Sequence, residues 1–220
     1  MSKTQEFVKS EKDRYGKIFA DIAFGVDNIS GLIDKQDLNN RKFTTRIGVL
    51  KKYLQLLDSA EAESKHKSFL SNLFSGDKYV DLLTDYKREH REDLTQLENC
   101  AKCECLNCTA QCKFDSCNGC TQGRRVVYCN HQSTNVSIDN SGKPLELTNN
   151  NTGESDLYKI LAYIQDAKKD KRYIIIENTS NAERFILYYY PGISEDTYGE
   201  ITDEEDFNFA ASAYENLERS

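Results

Sequence analysis

Histidine is scarce in this chain, with three residues in 220: His66, His90 and His131. That leaves little room for imidazole catalysis or a histidine-built metal site. The sequence has no His-Glu-x2-His or His-x-Glu pattern, no glycine-rich phosphate loop and no Gly-x-Ser-x-Gly elbow. No apolar run approaches the ~18 residues that a membrane span needs. Residues 1–14 are mixed in charge and lack the apolar stretch of a secretory signal. These absences point to a cytoplasmic protein that is not an enzyme and does not enter a membrane. Cysteine is also missing from residues 1–99 and 130–220.

Between those limits stand all eight cysteines: Cys100, Cys103, Cys105, Cys108, Cys112, Cys117, Cys120 and Cys129. Their spacing is Cys-x2-Cys-x-Cys-x2-Cys-x3-Cys-x4-Cys-x2-Cys-x8-Cys, and His131 follows two residues later. In a reducing compartment, clustered thiols read as metal ligands rather than disulfides. A Cys-x2-Cys knuckle places two sulfurs on one ion, and two knuckles close a tetrahedral zinc site. Eight cysteines therefore predict two closed sites and two Zn2+ per chain. One grouping sets Cys100, Cys103, Cys117 and Cys120 around one ion and Cys105, Cys108, Cys112 and Cys129 around the other. Interleaved groupings satisfy the spacing equally well. His131 is an alternative ligand to Cys129 or Cys112, or a group behind the ligands. The Cys103-x-Cys105 step also suits bridging thiolates, and an iron–sulfur cluster is the less favoured cofactor. Residues 99–131 hold few large apolar groups (Leu106, Phe114, Val126, Val127 and Tyr128). A metal that replaces a missing core is expected.

Charge is spread unevenly. Residues 1–98 carry 17 basic and 17 acidic side chains, residues 99–132 four and two, and residues 133–220 eight and 17. The acidic C-terminal part repels a phosphate backbone, so nucleic acid is not the expected partner. Arg124-Arg125 is the one spot beside the cysteines where such contact makes sense.

Three parts are expected: a helical bundle over 1–98, a cysteine-rich metal module over 99–132 and an acidic α+β module over 133–220. The fold class is α+β. Tyr15, Phe19, Ile22, Val26, Ile29 and Ile33 recur at helical spacing, as do Phe43, Ile47, Leu50, Leu54 and Leu57. A turn over 34–40 folds the second helix back on the first. The seams predict an antiparallel core, or a homo-oligomer interface. A third element is expected over 64–74. A fourth helix, N-capped by Asp77, runs past His90 into Cys100. Ser133 to Gly153, rich in Ser, Asn, Thr and Gly, reads as a domain boundary, with 133–138 and 145–148 as short strands. Leu157, Ile160, Leu161 and Ile164 fit a short helix over 156–167, with a strand over 158–163 as the alternative. Residues 173–177 and 184–190 predict a hairpin that Pro191-Gly192 stops. Thr202-Asp203-Glu204-Glu205 predicts a capping box that opens a last helix.

The run from Tyr173 to Leu217 resembles a short acidic domain of unknown function from Gram-positive bacteria. The resemblance rests on the hairpin, on Ile201 to Phe207 and on the helix that ends Tyr214-Glu215-Asn216-Leu217. It implies a small α+β module and no activity. The reading as a whole is a zinc-binding protein-interaction or adaptor protein that docks on a protein partner, with Tyr188, Tyr189, Tyr190 and Tyr198 as aromatic anchors. A thiol-based redox or metal sensor and a nucleic-acid-binding zinc protein are the alternatives.

Overall fold

The computed structural model describes residues 3–66, 76–149 and 152–218. The element expected over 64–74 falls largely outside them. The chain forms two compact units: Met1–Lys102 with Leu106–Thr109, and Cys103–Cys105 with Ala110–Ser220. The cysteine-rich stretch is thus divided between the two.

The first unit is helical: α1 (Lys3–Ser30), α2 (Lys35–Asn39), α3 (Lys42–His66), α4 (Gly76–Glu89) and α5 (Arg91–Cys100). The predicted seams meet in its core, where Tyr15, Ile22 and Ile29 of α1 and Phe43, Leu50, Tyr53 and Leu57 of α3 are buried. Three expectations are corrected. Residues 35–39 are helical rather than a plain turn. α4 begins at Gly76, so Asp77, expected just before the helix, lies within its first turn. The fourth helix breaks at His90, whose φ of −109° and ψ of 23° leave the helical region. The break turns His90 back onto the Tyr86 ring, at 4.3 Å between centroids.

Two polar contacts fix this bundle. Glu11, 8% exposed, accepts a short hydrogen bond from the Tyr53 hydroxyl and pairs with Lys87 at 2.9 Å. Arg41, 7% exposed, donates through Nη1 to the Cys108 carbonyl at 2.8 Å. Leu106 seats against α1 at Gly25, where an added Cβ would lie 2.7 Å from the leucine side chain. These two contacts are why Leu106–Thr109 belongs to the helical unit.

The second unit is a seven-stranded antiparallel sheet with one helix. Its strands are β1 (Arg124–Cys129), β2 (Thr134–Asp139), β3 (Leu145–Thr148), β4 (Ser155–Asp166), β5 (Lys171–Asn178), β6 (Arg184–Tyr190) and β7 (Thr197–Glu200), followed by α6 (Glu204–Glu218). The order is β1-β2-β4-β5-β6-β7, and β3 also pairs with β4. The hairpin of β5 and β6 and the short strands at 134–139 and 145–148 agree with the sequence reading. The expected helix over 156–167 is instead β4, a strand of 12 residues. Its apolar residues satisfy a helical period by coincidence. They form a nearly continuous run because both sheet faces are covered there. Val136, Ala162, Ile164, Tyr173 and Ile175 pack against α6 through Ala210 and Ala213. Tyr163, Ile174, Ile176 and Tyr189 form a second cluster. Their register, one residue out of phase, puts them on the opposite face.

The cap of α6 differs from the expected box. Asp203, not Thr202, receives the first amides: Glu205 N donates to its Oδ1 at 2.8 Å and Asp206 N at 3.1 Å. Asp206, fully buried, turns away from the cap to bind Lys169 at 3.0 Å, the Tyr188 hydroxyl at 2.6 Å and Lys171. Tyr188 therefore ties β6 to α6. Tyr189 is buried on the other face, and of the three consecutive tyrosines Tyr190 is the exposed one.

Candidate metal centre

Four of the eight thiols come together within the β unit. Cys105 hydrogen-bonds to Cys103 and to Cys117, and Cys117 also bonds to Cys120. Cys103 and Cys105 precede a long loop. Cys117 precedes a 3-10 turn, Asn118–Cys120, and Cys120 ends it. Two pairs of thiols distant in sequence thus converge.

The turn can sit this close to the sheet because residue 119 is glycine. A Cβ there would overlap the Val126 side chain and stand 2.9 Å from the Val126 nitrogen. That nitrogen is engaged, since Val126 N–H donates to Cys103 Sγ at 3.2 Å. Asn135 Nδ2 donates to Cys117 Sγ at 3.2 Å. The backbone amides of Gly119 and Cys120 also donate to Cys117, and the Cys105 amide to Cys103. Gly119→Ala is expected to cost about 3 kcal/mol, the upper end for overpacking. It should also break the Val126–Cys103 bond. Denaturant unfolding of the variant checks the first, and its thiol reactivity the second.

Electrostatics separate the four sulfurs. The hydrogen bond from Cys105 lowers the Cys103 thiol, against the opposing effect of burial. Bonds from Cys105 and Cys120 lower Cys117 well below the ordinary thiol range. Cys105, which shares its proton with both, is pushed strongly up. Soft thiolates fed by N–H donors suit zinc or iron rather than a hard cation. Among the described residues, no group of three or more His, Cys, Asp or Glu side chains is arranged to hold a metal ion.

The other four cysteines are divided. Cys100 and Cys108 belong to the helical unit. Cys100 is buried at the end of α5, where it accepts from Gln96 Nε2 at 3.5 Å. Cys112 and Cys129 belong to the β unit. Cys112 is exposed, and its thiol donates to the Phe114 carbonyl at 3.7 Å. Cys129 stands opposite Asn135 in the strand register, on the same sheet face. Its sulfur accepts from His131 N at 3.4 Å. His131 itself is exposed, in left-handed backbone with φ of 59°. None of the eight cysteines is in a disulfide.

Sequence reasoning missed Asn135 because it lies in a Ser- and Asn-rich stretch that reads as a boundary. It also weighed Arg124 as a surface contact. Arg124 is 6% exposed, with its guanidinium carbon 3.2 Å from the Tyr163 ring centroid and Nη2 donating to the Tyr189 hydroxyl at 3.1 Å. Among the described residues, no helix is long and apolar enough to cross a membrane. Comparison of the chain with protein-family models, curated proteins and solved structures finds no match.

Proposed function

We propose that this chain is a zinc-binding, non-enzymatic interaction protein whose β unit is organised by a structural four-thiolate site. The observation that carries the reading is the convergence of Cys103, Cys105, Cys117 and Cys120 beneath N–H donors from Val126 and Asn135. Zinc fits the donor set, since a closed sphere of four sulfurs needs no open position and no nearby general acid or base. The ion would lock the 3-10 turn onto the sheet edge, where the loop from Ala110 to Cys117 has little apolar mass of its own. Surface available to a protein partner includes exposed Leu157, Phe185, Tyr190, Ile193 and Phe207 on the β unit.

Elemental analysis of protein purified without added metal tests this reading. It predicts at least one zinc per chain, removed by a strong chelator with a fall in the unfolding temperature. Metal-free protein whose unfolding ignores both zinc and chelator contradicts it.

A redox or metal sensor is the second reading, favoured by thiols that already share protons. The depressed Cys117 thiol is the expected first point of oxidation. Zinc release by mild peroxide, reversed by a thiol reductant, is the outcome that separates a sensor from a purely structural site.

A further inference from the structure

Four polar side chains are buried around β2, the strand from which Asn135 reaches a thiol. Asn118 and Asn135 are each 1% exposed, Ser137 0% and Gln165 5%. Among the described residues, five of their polar atoms meet no hydrogen-bond partner: Nδ2 and Oδ1 of Asn118, Oδ1 of Asn135, Oγ of Ser137 and Oε1 of Gln165. The register gathers them. Asn135 faces Gln165 across β2 and β4, and Ser137 is next on the same face. Asn118 directly follows Cys117, the thiol that Asn135 binds. A face that needed only a core would carry apolar residues here, as it does at Ile174 and Ile176. Buried polar groups without partners oppose folding, so the chain retains them against a cost.

We propose that Asn118, Asn135, Ser137 and Gln165 are the outer sphere of the thiolate centre and set how firmly it holds a divalent cation. The proposal rests on the metal reading above. Four thiolates around a divalent ion carry a net charge of minus two, and a buried charge of that kind needs donors aimed at sulfur. Asn135 Nδ2 supplies one. Asn118 Nδ2 and the Ser137 hydroxyl are further buried donors, and among the described residues neither has a hydrogen-bond partner, sulfur included. The amide oxygens of Asn135 and Gln165 are acceptors for ordered water, which can pass its own protons towards sulfur. All four act as positioning residues, through sulfur rather than on the ion.

Cobalt(II) is the probe, because its sulfur-to-metal charge-transfer band reports the electron density on the thiolates. Asn135→Leu keeps the approximate volume and removes the donor. The variant is expected to shift the band and to release cobalt to a chelator roughly tenfold faster than the wild type. Its metal-free form should unfold at the same temperature as the metal-free wild type or higher, since a partnerless polar group is gone. Asn135→Gln, which keeps an NH2 donor, should recover part of the retention. An unchanged band and release rate in Asn135→Leu overturn the proposal. If that variant does not fold, Ser137→Ala is read in the same assay, with a smaller shift in the same direction expected and no shift overturning it. A wild-type protein that takes up no cobalt overturns the metal reading as well as the outer sphere, and shows it before any variant is made.

Discussion

Cys117→Ser is expected to abolish ion binding at the four-thiol site and to lower the stability of the β unit by about 4 kcal/mol, where the wild type sees metal at a thousandfold excess over its Kd. Cys117 is the residue to change because most of the cluster meets there. It bonds to Cys105 and Cys120, receives the Gly119 and Cys120 amides, and binds the Asn135 carboxamide at 3.2 Å. Serine keeps the size but offers a hard oxygen that does not ionise near neutral pH, so the soft tetrahedral set is broken. For a unit of this size the loss corresponds to a fall of roughly 16 °C in the unfolding midpoint. Cys112→Ser is the control. Cys112 is exposed and bonds to a carbonyl two residues on, so its replacement should leave metal at the four-thiol site. Calorimetry with and without chelator reads both variants. Equal falls in the two would show that thiol loss in general, rather than this site, destabilises the unit.

Asp206→Ala should be the most damaging change away from the cysteines, at about 3 kcal/mol. Removing one partner of a buried ion pair costs roughly 3–5 kcal/mol, because the other charges lose their compensation. The lower end applies because Lys169 and Lys171 keep 35% and 38% of their side chains exposed, so solvent recovers part of the loss. The carboxylate lies just under the surface, covered by its own partners. Burial pushes its pKa up, but hydrogen bonds from Lys171, Tyr188 and Lys169 outweigh burial and hold it well below the usual carboxylate range. A depressed native pKa makes the bound carboxylate stabilising above the unfolded value of about 4. That increment is lost as pH falls from there through the native value. Urea midpoints between pH 7 and pH 2 should therefore fall more steeply for the wild type than for Asp206→Ala. Parallel profiles would remove Asp206 from the account of acid sensitivity.

The parts of the fold set by apolar periodicity were legible. The seams of α1 and α3 are the core of the helical unit, and the β-branched run 173–176 is the central strand β5. What failed were cases where one pattern serves two structures. β4 carries apolar residues on both faces, so its spacing mimics a helix until its neighbours are known. Thr202 and Asp203 are both good caps, and only the position of Asp206 against Lys169 and Lys171 selects Asp203. The boundary placed at residues 132 and 133 falls just before β2. In β2, Asn135 binds a thiol and Ser137 lies on its face, while Val136 between them faces α6. That polarity let the stretch read as a boundary even though its short strand was legible. The cysteines themselves were legible as a cluster, but not their grouping. Which thiols meet depends on Gly119 letting the turn onto β1 and on the register that aligns Asn135 with Cys117, and neither is a matter of spacing.

The most direct test is thiol mapping on metal-loaded and chelated protein, with differential alkylation read residue by residue in a mass spectrometer. The account predicts that Cys103, Cys105, Cys117 and Cys120 become protected together when zinc is bound and reactive together when it is removed. Cys112 should label in both states. Protection that ignores the metal, or that falls on a different set of four, would contradict a zinc centre built from these residues.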